Sequence, residues 1–191
     1  MEDGVIMAGK EIISKEFLLE TAFRMLKEEG IENITARKLA VKAGCSTQPI
    51  FRLYSSMEEL EQELFEKTMT YFEEYYCNAG LYDKTPFVNL GMTCIQFAKE
   101  EKNLFRILFF SQNRYGKNLY EILNGKTGIV ECEYIKARNE GCKNPEELFM
   151  KMWFFIYGSA GMTISGDYDL DLEDTIDLLK SAYKGFRSLE R

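Results

Sequence analysis

Between Asn33 and Met57 the only charged residues are Arg37, Lys38, Lys42 and Arg52, all of them cationic. Ser46, Thr47 and Gln48 stand among them. Hydroxyl, amide and guanidinium groups of this kind donate to phosphate oxygens and to base edges. This is a set for gripping a polyanion, not for making or breaking a bond. The chain has no His, so the commonest general base and the commonest nitrogen ligand for metals are both missing. It contains no full phosphate-loop signature ending in Lys-Ser or Lys-Thr and no G-x-S-x-G. Glu131 and Glu133 are two residues apart, and on a helix such a pair points to different sides. No catalytic residue, metal or cofactor is expected.

The spacing around these groups predicts how they are held. Thr35 is placed to cap a helix over Ala36 to Ala43. Leu39, Ala40 and Ala43 would face inward, and Arg37, Lys38 and Lys42 outward. Gly44 supplies a stop. Ser46 is the expected cap of the next helix, with Pro49 in its first turn and Phe51 and Tyr54 anchoring its far side. Ser56 and Glu59 have capping-box spacing and open a third helix at Met57. Two helices joined by a short Gly-containing turn make a helix-turn-helix. Upstream, Phe17, Leu18, Thr21, Ala22, Met25 and Leu26 form one stripe of a bracing helix over Ser14 to Glu29, closed by Gly30.

The residues Phe17-Leu18-x-x-Thr21-Ala22, Glu29-Gly30, Ile34-Thr35, Leu39-Ala40, Ala43-Gly44-Cys45-Ser46, Phe51-x-x-Tyr54 and Glu59-Leu60 resemble the N-terminal domain of the TetR family of transcriptional regulators. Two positions depart from the pattern. Phe51 stands where the family usually has Tyr, and Met57 where it usually has a basic residue. The resemblance implies an all-α protein: a three-helix DNA-binding domain over 1–60, then a helical ligand-binding and dimerisation domain over 61–191, about nine helices in all. It implies a double-stranded DNA operator as partner. The DNA-binding residues expected are Thr35, Arg37, Lys38, Ser46, Thr47, Gln48, Pro49, Phe51, Arg52 and Tyr54.

The whole chain has 191 residues, net charge -7 and 46% hydrophobic residues. An acidic protein does not coat nucleic acid non-specifically, but it can carry one focused basic surface. The five Cys are odd in number, with no C-x-x-C and no metal-finger spacing. They read as buried or idle thiols in a reducing compartment. The acidic first residues do not read as a signal peptide, residues 1–10 as a mobile leader, and the protein as cytoplasmic.

Beyond the head, Met57 to Ala79 is predicted as one helix of roughly 34 Å, a mechanical link between the two domains. Helices are expected over Pro86 to Glu100, over Asn103 to Phe110, and over Tyr115 to Gly141 with a break at Gly125 and Gly128. Two more open at Asn144-Pro145 and at Leu172. The acids from Asp167 to Asp177 lack the Gly and closing Glu of a calcium loop and read as a loop and helix-start bias.

Met152 to Gly166 carries no charge. It is too short and too interrupted for a membrane span. A helix apolar all round needs two surfaces to cover it, and a twin subunit supplies the second. The homodimer interface expected is Phe154, Gly158, Gly161, Met162, Leu179, Ala182, Tyr183 and Phe186. Met92, Ile95, Phe105, Phe109, Tyr134, Met152, Trp153 and Tyr157 read as core or as the lining of an apolar pocket. The resemblance implies the pocket, with a small-molecule effector in it controlling DNA binding. A helical protein-interaction module without DNA binding is the alternative.

Overall fold

The computed structural model describes residues 13–189, so the leader expected over residues 1–10 lies outside the described residues. All its regular elements are helical, and ten are α-helices where about nine were expected. The chain divides into two compact units between Leu64 and Phe65.

In the first unit, α1 (Lys15–Glu29) starts where the Ser14 hydroxyl accepts the Phe17 N–H at 3.1 Å and ends at Gly30, φ +84°. Leu18, Thr21, Ala22, Phe23, Met25 and Leu26 are buried. Phe17 instead lies outside the stripe, 43% exposed. A 3-10 turn (Ile31–Asn33) leads to α2 (Ala36–Lys42), α3 (Gln48–Leu53) and the start of α4 (Met57–Asn78).

The second unit is built around α5 (Val88–Glu100), which packs against both α9 (Pro145–Ser165) and α10 (Leu172–Ser188). Every residue from Val88 to Ile95 is buried. Gly91 is required there, because a Cβ would stand 3.0 Å from the Leu179 methyls and 3.1 Å from Ile156. Between these helices come α6 (Lys102–Phe105), which runs on into a π-type turn (Arg106–Phe110), then α7 (Leu119–Asn124) and α8 (Ile129–Asn139). The expected break between α7 and α8 is real. Its cause is a contact: the Glu73 carboxylate of α4 accepts the Thr127 N–H and approaches Gly125 so closely that a Cβ would lie 2.6 Å from its Cδ. α7 starts at Leu119, later than the predicted Tyr115, because Asn118 and Glu121 form a reciprocal capping box. Likewise α5 starts at Val88, since Phe87 takes a left-handed conformation, φ 64°.

Phe87 is held there by Glu133 of α8, whose carboxylate is wholly out of water. It accepts the Phe87 N–H, the Lys136 ammonium at 2.6 Å and the Tyr76 hydroxyl at 3.5 Å. A buried carboxylate costs stability unless its lone pairs are occupied, and here α4, α8 and the start of α5 occupy them. The acids from Asp167 to Asp177 behave as expected in part: Asp171 caps α10 by accepting the Asp174 N–H at 2.9 Å.

Replacing Glu133 by Ala strands the Phe87 N–H and leaves a void, and Glu133→Ala is expected to destabilise the protein by about 3 kcal/mol. Glu133→Gln keeps an acceptor and should cost less. Urea unfolding followed by circular dichroism measures both.

Candidate nucleic-acid interface

The turn between α2 and α3 is built from local bonds. The Thr35 hydroxyl accepts the Lys38 N–H at 3.2 Å and starts α2. Gly44 takes φ +66°, where an added Cβ would meet no described atom within 4 Å, and the Cys45 N–H returns to the Ala40 carbonyl at 2.9 Å. Inside, Leu39 and Ile50 are completely buried, each worth about 1.5–3 kcal/mol of apolar burial. Tyr54, 1% exposed, closes the far end. Its hydroxyl donates to Glu63 at 3.2 Å, and the Lys15 ammonium lies 4.6 Å above its ring. Burial, first, and the Glu63 charge push the phenol well above its ordinary value. Lys15 also pairs with Glu63 and with Glu59.

Three details differ from the sequence reading. Ser46 does not cap α3; the preceding residue is Thr47, in helical conformation, and no side chain caps this helix. Phe51 does not anchor α3: its ring is 56% exposed, and Ile50 packs in its place. The Ser56 hydroxyl does accept the Glu59 N–H at 3.1 Å, but the Glu59 carboxylate reaches back to the Ser55 N–H, one residue early.

Of the residues expected to touch DNA, Thr35, Arg37, Lys38, Ser46, Thr47, Gln48, Phe51 and Arg52 are exposed, Pro49 is half-buried, and Tyr54 faces the core. Their charges are not equivalent. Lys42 is paired with Glu29 of α1 at 3.0 Å, and Lys38 donates to Asn33 at 2.8 Å. Arg37 and Arg52 make no ion pair with a described residue. The window from Asn33 to Met57 hid the Lys42 pairing, because Glu29 lies just outside it. Val41, 76% exposed, escaped the reading as well; the signal was an apolar residue on the outward side of a basic helix.

In the second unit, the residues expected to line a pocket are buried, except Tyr157, 36% exposed. Ring contacts join Phe105 to Phe109 at 4.6 Å, Phe109 to Trp153 at 5.4 Å and Trp153 to Tyr157 at 5.9 Å. Phe149 connects Trp153 to Tyr134. Burial pushes the Tyr134 phenol up to about 12. Met92 and Ile95 on α5, and Met152 on α9, are buried in the same unit. Of the residues expected at a dimer interface, Phe154, Gly158 and Met162 are exposed. Gly161, Ala182 and Phe186 are half-buried. Leu179 and Tyr183 face inward instead, 1% and 5% exposed, because α10 packs its own stripe on α5 and α9. No described helix is long and apolar enough to cross a membrane.

Residues 18–64 match the family model described as bacterial regulatory proteins, tetR family. Two solved structures share the fold. A protein described as a TetR-family transcriptional regulator from Vibrio parahaemolyticus matches with TM-score 0.64 and 15% identity, over 89% of this chain and 96% of that one. A TetR-like transcriptional regulator from Rhodococcus sp. RHA1 matches with TM-score 0.67 and 14% identity, over 96% of this chain and 100% of that one. No curated protein matches. The resemblance read from the helix-turn-helix residues is borne out, and the fold is that of these TetR-type proteins.

The head contains a titratable brace. The Ser55 hydroxyl, then its N–H, and Lys15 hold the Glu59 carboxyl below the usual carboxylate range. A lowered pKa stabilises the fold above the ordinary value, about 4.3, and that contribution vanishes as pH falls through the lowered one. Thermal melts should therefore separate wild type from Glu59→Gln at about pH 6, and the difference should shrink as pH falls below the ordinary value of about 4.3.

Proposed function

We propose that the chain is a homodimeric DNA-binding transcriptional regulator, a repressor that leaves a pseudo-palindromic operator when a small, largely apolar molecule enters the second unit. One observation carries this reading. Ser46, Thr47, Gln48 and Arg52 are all turned to solvent around a six-residue helix, next in sequence to the exposed Arg37 and Lys38, on a chain of net charge -7. Arg37, Lys38 and Arg52 bind phosphates and Gln48 reads a base edge. Phe51 offers its ring to apolar groups of the groove in place of a hydroxyl. Two heads reach successive major grooves about 34–36 Å apart.

The pairing surface is the open side of α9. Met150 is 39% exposed, Phe154 70% and Met162 48%, all at helical spacing, and Leu178 of α10 is 38% exposed. No described residue lies within 4 Å of where a Cβ at Gly158 would stand, so its lack of a side chain serves an approaching helix. The effector displaces the rings around Phe105, Phe109, Trp153 and Tyr157, with Tyr134, Met92, Ile95 and Met152 completing the lining. α4 has residues in both units and carries the displacement. Switching the population almost completely takes about 5.5 kcal/mol of differential binding.

DNA selected from a random pool by the full-length protein should be lost by the double variant Gln48→Ala, Arg52→Ala in a gel shift. Lys42→Ala, whose charge Glu29 already neutralises, should change the salt slope far less than Arg37→Ala, which should reduce it by about one. A protein that selects no sequence, or a double variant with full retention, would leave a helical interaction module as the better reading. Light scattering should report twice the 22.2 kDa of one chain, and Phe154→Glu with Met162→Glu should return the single-chain mass. A single-chain mass for wild type at about 10 µM would overturn the dimer.

A further inference from the structure

Within the second unit, α4, α5, the turn that joins them and Leu172 of α10 line an open groove of about 490 Å³, a size that suits a small organic molecule. The regulator reading leaves it unused. Tyr71 and Tyr75, one turn apart on α4, and Tyr82 from the turn wall the groove. The two α4 rings are fixed: Tyr75 packs edge-on against Phe97 at 5.1 Å and Tyr71 lies 6.3 Å from the same ring, which is fully buried.

The charged residues of the lining are both acidic, and Asn78, Ala79, Gln96 and Leu172 complete it. Glu74 from α4 and Glu100 from α5 face the groove, and no described Lys or Arg lines it. The Tyr75 hydroxyl donates to Glu100 at 2.6 Å, and the Gln96 amide donates to the other oxygen. Those donors hold the Glu100 carboxyl below its usual range, so it stays charged. Glu74 makes no hydrogen bond or ion pair with a described residue. Among the described residues no three His, Cys, Asp or Glu side chains converge as a metal would need. Hard ions require several converging oxygens. Aromatic faces beside separated carboxylates instead suit a large, weakly hydrated cation.

We propose that this groove binds an organic cation, an alkylated or quaternary ammonium, held against the faces of Tyr71, Tyr75 and Tyr82 with Glu74 and Glu100 as counter-charges. The cation loses little by leaving water, and it gains the ring quadrupoles together with two carboxylates. The site is distinct from the apolar interior assigned to the effector, and it does not rest on the DNA-binding reading.

Choline and its uncharged carbon isostere 3,3-dimethylbutan-1-ol are the probes, titrated into the full chain without DNA and followed by calorimetry or NMR. Choline should bind saturably, and the alcohol about tenfold more weakly. Glu74→Gln, at an exposed position, should weaken choline several-fold and leave the thermal midpoint unchanged. Tyr75→Phe should retain binding, because the ring face survives, and Tyr75→Leu should lose it. No saturable choline binding, equal affinity for the alcohol, or unchanged affinity in both Glu74→Gln and Tyr75→Leu would overturn the assignment. None of these outcomes bears on operator binding, which the gel shift tests separately.

Discussion

The larger unit depends on one carboxylate held out of water. Glu133 has no solvent to lean on, so the Phe87 N–H, the Lys136 ammonium and the Tyr76 hydroxyl take the place of water around its carboxylate. That requirement bends Phe87 into a left-handed conformation and sets where α5 begins. α5 is the helix around which α9 and α10 pack. A polar group thus sets the position of the most apolar helix pair in the protein. Breaking it would cost more than the bond, because the buried donor on Phe87 has no second acceptor among the bonds described.

The smaller unit solves the opposite problem. Its helices are too short to be stable alone, so α2 and α3 persist because Leu39, Ile50 and Tyr54 are buried and because the turn satisfies its own backbone. With the interior so occupied, the outward side of α3 is free of structural duty. Ser46, Thr47, Gln48 and Arg52 neither cap nor pack. Side chains that cost nothing to the fold are the ones available for a partner. The same reasoning separates Arg37 from Lys42: one cation is spent on Glu29 and the other is not.

The aromatic residues divide by environment. Phe97, Phe105 and Phe109 are fully enclosed, whereas Tyr71, Tyr75 and Tyr82 stand half-exposed over a groove, and the Tyr71 and Tyr75 hydroxyls donate to acids. A phenol tolerates such a boundary because one end is apolar and the other wet. Rings of one chemical class therefore build a core in one place and a concave, anionic surface in another.

Periodicity, caps and glycines were legible in the chain itself. The helix-turn-helix, the caps at Thr35 and Asn144, the presence of a break near Gly125 and Gly128, and the uncharged run of α9 follow from local rules that need only a few neighbouring residues. What no local rule contained was partnership across distance. Glu29 reaching Lys42, Glu133 reaching Phe87, and Glu73 pressing on Gly125 join residues from different helices. Phe51 and Phe17 looked like core because hydrophobicity is a property of the residue, but burial depends on which side of the helix meets another element. The groove of Tyr71, Tyr75, Tyr82, Glu74 and Glu100 was invisible for the same reason: its walls come from separate elements, and only packing brings them together. Sequence determines what each short segment prefers; the tertiary fold decides which charges are neutralised and which faces meet solvent, because electrostatics and burial act through space.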